Sequence, residues 1–408
     1  VRAQRYAALD GLRGFAAVVV VVFHAGMAAP VLAGDVGIEE GHWSWWAAET
    51  PLHLFWAGPQ AVYLFFVLSG FVLTLPFLRR PRPSWLGYYP RRLVRLYLPV
   101  WASLAVAVGL YFLFPRESRP GASWWINAHD MPLTRDGLQH DLSLLEWTTM
   151  LNSPLWSLQW EVYFSLLLPV YVLLAALSRR VRFLAPVLAL ALLGLTALGE
   201  STLTAWLVYL PMFGLGTLLA AHREEVGRLL RGMRTWAWGL LLVVALLLVE
   251  TSWLPSPVAP MIATPLSVAG AALVVCAFLY SPGAVRVGEF RVSQWIGRRS
   301  FSLYLVHEPV LVSLAVVLAT TNPAVILGIG LPLAVLASAV FYRLVEAPAH
   351  RFSGQVGRAF GGGGRSRAVT PPAAAAPVAV APAGAPVPVA PVAVAPAVAP
   401  VAVGRPED

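Results

Sequence analysis

The chain has 408 residues, 58% of them hydrophobic and only 12% charged, with a mean hydropathy of +0.70. Soluble domains carry about twice that share of charge, so a soluble globular class is excluded in favour of a polytopic membrane protein. The net charge of +9 comes from arginine alone, and the arginines recur in short clusters between apolar runs, a distribution that argues against nucleic-acid binding. The single cysteine, Cys276, lies inside an apolar run, which leaves no disulfide framework and no multi-cysteine metal site.

Ten spans can be read in chain order: 14–33, 58–78, 96–114, 159–178, 182–199, 203–221, 236–250, 261–280, 300–319 and 324–345. The expected fold is therefore all-α, a membrane domain of about ten transmembrane helices over 1–352. Every second loop is rich in arginine. Arg2, Arg5 and Arg13 precede the first span, and Arg79, Arg80, Arg82, Arg91, Arg92 and Arg95 follow the second. The alternate loops hold only Arg116, Arg119 and Arg135, so the positive-inside rule places both termini in the cytoplasm of a multi-pass plasma-membrane protein. The long outer loops, 34–57 and 115–158, carry Trp43, Trp45, Trp46, Trp124, Trp125, Trp147 and Trp156. These form either an interfacial belt or the lining of a groove for a sugar or lipid acceptor. From Gly361 onward the composition becomes Gly and then Ala/Pro/Val, and 353–408 is expected to be a disordered tail, since proline at that density forbids a further span.

Polar residues inside the apolar runs mark candidate chemistry. Arg13 and His24, eleven residues apart in LDGLRGFAAVVVVVFHAGM, leave one helix face about 16 Å apart along the axis. A charge at the membrane surface and an imidazole near the midplane are costly in hydrocarbon and mark a polar pathway or reaction site. Ser69 and Gly70 lie near mid-membrane in the second span, where small residues permit close helix approach and the hydroxyl can bond across helices. Arg92 and Arg95 share a face at the mouth of the third span, and two guanidinium forks there could clamp phosphate oxygens or serve as ordinary topological anchors. Ser157 and Glu161 sit four apart at the start of the fourth span. In SFSLYLVHEP, Pro309 cannot donate to the Leu305 carbonyl, which predicts a free acceptor beside His307.

Together these clusters resemble the acyltransferase 3 family of integral membrane O-acyltransferases. The matching residues are LDGLRG with Arg13 and His24, FFVLSGF at 65–71, Arg92 and Arg95 before Tyr97 and Pro99, PLWSLQWE at 154–161, SFSLYLVHEP at 300–309 and YRLVEAP at 342–348. They keep family order across nearly all of residues 5–350, with Phe301 standing where a tyrosine is common. The resemblance implies a ten-helix enzyme that moves an acyl group, typically acetyl, from cytoplasmic acyl-CoA to a hydroxyl of a carbohydrate or other acceptor. Partners would be the bilayer, acyl-CoA as donor substrate, and a carbohydrate, cell-envelope glycan or glycosylated small molecule; no nucleic acid, metal or permanently bound cofactor is expected. With an Ala/Pro/Val tail after the tenth span, acceptor choice would lie in the membrane domain or a partner.

The candidate catalytic residues are His24, Glu161 and His307, with Arg13, Arg92, Arg95, Ser69 and Tyr304 binding the donor. In this reading the arginines hold the coenzyme A phosphates, and a neutral His24 takes the proton of the acceptor hydroxyl. Ser69, Tyr304 and His307 are candidate oxyanion donors, and a covalent acyl-histidine stays open. The competing class is a multispanning transporter or flippase, which would often show repeated halves; these motifs show none.

Overall fold

Each long apolar run folds as a helix in the computed structural model, which describes residues 6–80, 82–251 and 260–361. In chain order the main helices are α1 (Ala7–Gly26), α2 (Gly58–Thr74), α3 (Trp85–Leu113), α4 (Leu155–Ser178) and α5 (Leu184–Thr202). They continue as α6 (Ala205–Ala221), α7 (Thr235–Val249), α8 (Pro260–Tyr280), α9 (Ser300–Val317), α10 (Pro323–Phe341) and α11 (Ala347–Phe360). There is no strand among the described residues. Eight helices are long and apolar enough to cross a membrane, with α10 and α11 forming one continuous stretch, so the fold is that of an all-α multi-pass membrane protein. The other two expected spans are the shorter α6, bent by 70° against the helix Arg223–Leu230, and the 15-residue α7.

Several boundaries differ from those expected of the sequence. The first helix ends at Gly26 rather than at 33, because Pro30 forces Ala29 into an extended conformation (φ −84°, ψ 125°) and a separate turn comes next. The third begins at Trp85, eleven residues before the expected start, so Arg91, Arg92 and Arg95 stand on the helix itself. Residues 353–360, expected in the tail, continue α11, and the Ala/Pro/Val segment lies outside the described residues.

Small residues set the close approaches that position the polar groups. A Cβ on Gly70 would lie 2.0 Å from the Phe213 carbonyl oxygen, and one on Gly216 would lie 2.0 Å from that of Val67. Thus α2 and α6 meet backbone to backbone, as the Ser-Gly pair of α2 predicts. At the arginine-rich end, Gly297 lies under Asp10 with the same closeness and fixes the start of α1 beside the start of α9. Helix α1 also packs on α2, α9 and α10, so its polar residues face protein rather than lipid.

At the opposite end the two long loops fold over the bundle as short helices, among them Trp124–Ala128 and Arg135–Ser143. The Trp124 amide donates to Asp35 Oδ2 at 2.8 Å and its indole to the Ala33 carbonyl at 2.8 Å, which ties the loops together. Their tryptophans divide by role: Trp43, Trp46 and Trp147 are exposed, whereas Trp125 is buried against the interior.

Candidate active site

The arginine-rich end opens into a cavity of about 450 Å³. Its walls come from five helices: Arg13 on α1, Arg92 and Arg95 on α3, Glu161 on α4, Arg298 and Ser300 at the entry to α9, and His350 and Arg351 on α11. Tyr342 and Glu346, also in the wall, bracket a π-helical turn between α10 and α11. Such turns favour functional sites because they re-aim side chains. Here Glu346 is turned inward to accept from the Ser302 amide at 3.1 Å and its hydroxyl at 2.5 Å, tying α10 to α9.

The arginines of this entrance are not equivalent. Arg92 is committed: Nη2 lies 2.5 Å from Glu161 Oε1, and Nε donates to Ser165 Oγ at 3.1 Å. Ser69 Oγ donates to the same Glu161 oxygen at 3.2 Å, so the hydroxyl bonds across helices as its position on α2 suggested. Arg13 and Arg95, by contrast, have no hydrogen bond or ion pair among the described residues, yet both line the cavity. Two unengaged guanidinium groups in one wall make an anion-receptive surface.

A narrow passage of about 40 Å³ continues inward from Arg13, Glu161, Ser300 and Phe301 to Ser69, Ser157 and Tyr304. The Ser157 and Tyr304 hydroxyls are 2.7 Å apart, and Tyr304 also donates to the Pro154 carbonyl at 3.1 Å. The Tyr304 ring packs 5.8 Å from that of His307, so this pair stands between the passage and the imidazoles. His24 lines neither space.

His24 and His307, 283 residues apart, face one another with Nδ1 of His24 3.2 Å from Nε2 of His307. Their protonation follows from the carbonyls around them. His24 Nδ1 is 2.8 Å from the Val20 carbonyl, and His307 Nδ1 is 2.8 Å from that of Tyr304. A carbonyl only accepts, so each Nδ1 carries the hydrogen, and a neutral His307 offers its Nε2 lone pair to His24. That leaves Nε2 of His24, which has no hydrogen-bond partner among the described residues, with a free lone pair.

Behind the pair lies a fully buried acid that stands in the SFSLYLVHEP motif and to which the motif alone assigns no role. Glu308 Oε1 accepts from Ser153 Oγ at 2.6 Å and lies 3.2 Å from His129 Nε2. The Leu305 carbonyl freed by Pro309 is taken by the Asn152 amide at 3.0 Å, which confirms the free acceptor and names its partner. Glu308 was detectable as an ionisable neighbour of His307 inside an apolar run. His129, Asn152 and Ser153 come from a polar loop and carry no local signal at all.

The structure thus gathers the candidate residues into two groups. Arg13, Arg92, Arg95 and Glu161 line the entrance, with Ser69 and Tyr304 along the passage, while His24 and His307 form a separate pair beyond Tyr304. A multi-pass helical body with a cationic entrance and a half-buried imidazole holding one open lone pair defines a membrane-embedded site of the kind group transfer uses. The chain belongs to the acyltransferase 3 family, whose pattern, described as an acyltransferase domain, matches residues 6–343. It is also similar to the acyltransferase MdmB of Streptomyces mycarofaciens, 30% identical over 177 residues, a stretch covering 42% of this chain and 40% of that relative. The chain therefore aligns with about two-fifths of that relative's length. No solved structure matches.

Proposed function

We propose that this protein is an O-acyltransferase of the plasma membrane that moves an acyl group, acetyl in the first instance, from acyl-CoA to a hydroxyl of a carbohydrate or glycosylated acceptor. The single observation that carries the reading is the imidazole of His24, locked as the Nδ1–H tautomer with Nε2 open. The arginine-rich end, where α1 begins and α11 runs, is the cytoplasmic end, consistent with the alternation of arginine along the loops. Donor phosphates meet Arg13 and Arg95, while Glu161 acts as a positioning residue that holds Arg92 in the same wall. The pantetheine arm then extends along α1 toward His24, about 16 Å from Arg13.

The passage, at about 40 Å³, has room for a water molecule rather than a pantetheine arm. Donor entry therefore displaces the Ser157–Tyr304 pair and opens the way to the imidazoles. In the chemical step the acceptor oxygen attacks the thioester carbonyl as His24 Nε2 takes its proton. The C–O bond forms, the C–S bond breaks, and the imidazolium returns the proton to the departing thiolate, giving ester and free coenzyme A. His307 accepts the Nδ1–H bond throughout and holds the ring, the part a carboxylate plays in a Ser-His-Asp triad.

The test is acceptor-dependent release of coenzyme A thiol from acetyl-CoA by the purified full-length protein in lipid nanodiscs. Acceptors are supplied as glycan and glycolipid fractions from cells lacking the gene, and mass spectrometry identifies the product. Release that disappears in His24→Ala is the expected result. Vesicle uptake or flipping of a substrate with no thiol release would establish the transporter class instead.

A further inference from the structure

A second cavity lies at the other end of α3, about 24 Å along the helix from Arg95 to Tyr111. It measures about 330 Å³, within the range of small-molecule sites, and its wall includes Tyr111, Arg116, His129, Trp147 and Thr149 but, among the described residues, no carboxylate. Arg116 is 9% exposed, and its Nε and Nη2 atoms have no hydrogen-bond partner among the described residues. These two atoms form the side-on edge of the guanidinium, whose parallel N–H groups match the two oxygens of a carboxylate or phosphate. Native proteins seldom leave a buried cation in this condition, because the lost hydration is not replaced.

Of the acids nearby, Asp141 gives both oxygens to Thr149, at 2.7 Å to the amide and 2.6 Å to the hydroxyl, and Glu308 gives Oε1 to Ser153 and His129, while its Oε2 has no hydrogen-bond partner among the described residues, Arg116 included. Burial also raises the Asp141 carboxyl above its usual value, against the hydrogen bonds from Thr149. The cavity lies one side chain away from the imidazole pair: His129 in its wall contacts Glu308, the neighbour of His307, and Trp125, 4.8 Å from the His129 ring, packs 5.8 Å from that of His24. Trp147, 56% exposed, offers an indole face of the kind on which a sugar ring stacks.

We infer that this cavity receives the acceptor, and that the acceptor is a saccharide bearing an oxyanion which the Nε–Nη2 edge of Arg116 takes in bidentate fashion. That the bound saccharide is the acyl acceptor rests on the acyl-transfer reading; that an anionic saccharide binds at Arg116 does not. An acidic sugar and a glycosyl phosphate both supply the required oxygens, so the experiment separates them. Glucuronate, glucose 1-phosphate and neutral glucose are titrated against the full-length protein in nanodiscs by saturation-transfer NMR, with coenzyme A present to occupy the arginine entrance.

One or both anions should bind, at least tenfold more tightly than glucose, and the tighter of the two identifies carboxylate or phosphate as the natural group. Arg116→Gln should weaken anion binding by about tenfold or more while coenzyme A binding, read at the far end of α3, is kept. Arg116→Lys, which keeps the charge without the fork, should fall between, and it decides the matter where the glutamine variant does not fold. Equal binding of glucose, failure of both anions to bind, or wild-type anion affinity in the variants overturns the inference. Because no acyl donor takes part in the readout, absence of acyl transfer would remove the proposed function and leave this result standing.

Discussion

The entrance and the imidazole interior use polar groups in opposite ways. At the entrance, Arg13 and Arg95 line 450 Å³ of open space with no partner among the described residues, so charge is held ready for something that comes and goes. In the interior, His24, His307, His129, Glu308, Ser153 and Asn152 each spend at least one atom on a neighbour. What remains after that pairing, besides Glu308 Oε2 and Asn152 Oδ1, is the Nε2 lone pair of His24. The contrast teaches that the two regions are built for different ends: unpaired charge beside an open cavity favours an anion, and hydrogen-bonded groups in the interior favour one defined protonation state. The hydrogen-bonded Tyr304 and Ser157 stand between the two.

The largest effect should come from removing the lone pair itself. His24→Ala is expected to lower kcat by roughly 10²–10⁴-fold while the protein still extracts from membranes as a monodisperse species. An active alanine variant would dissolve the distinction, because the interior would then hold nothing that reacts. Glu308→Ala probes stability rather than rate: it strips the buried acid from His129 and Ser153, and breaking such a pair costs about 3–5 kcal/mol. Thermal unfolding in detergent should show a clear fall in Tm, with Glu308→Gln milder because an amide oxygen still accepts from Ser153.

The entrance should answer with affinity. Arg95→Ala is expected to raise the KM for acetyl-CoA about tenfold or more with little change in kcat. Arg92→Ala should do the same, but partly relieved by adding Glu161→Gln, since the first change leaves a carboxylate facing the phosphates. Relief of Arg95→Ala by the same second substitution would mean that the two arginines share one role. The smallest effect is expected from His307→Ala, about tenfold in kcat, because the Val20 carbonyl still holds the His24 tautomer. A loss as large as that of His24→Ala would show that His307 touches the reacting atoms.

Much of this was legible before any fold was known, and the reason is locality. Hydropathy and helical period depend on residues within a turn or two, so the spans, the common face of Arg13 and His24, and the freed carbonyl at Leu305 could all be read from sequence. Helix ends were less legible where proline or an early start intervened, as at Pro30 and Trp85. Partners were not legible at all. Arg92 meets Glu161 across 69 residues and His129 meets Glu308 across 179, distances over which no periodic signal survives.

By itself, then, the sequence determined the material: an arginine-only, helix-spanning membrane chain with ionisable residues set into its apolar runs. Tertiary structure alone decided which of those residues are free. Arg92 and Arg95 are alike in composition and three residues apart, yet one is spent on Glu161 and the other lines the cavity unpaired among the described residues. That choice depends on which side chain of α4 faces α3, a matter of how helices pack side to side. The same holds for His24: Val20, one turn back, sets its tautomer locally, but His307 faces its ring only because α9 packs on α1.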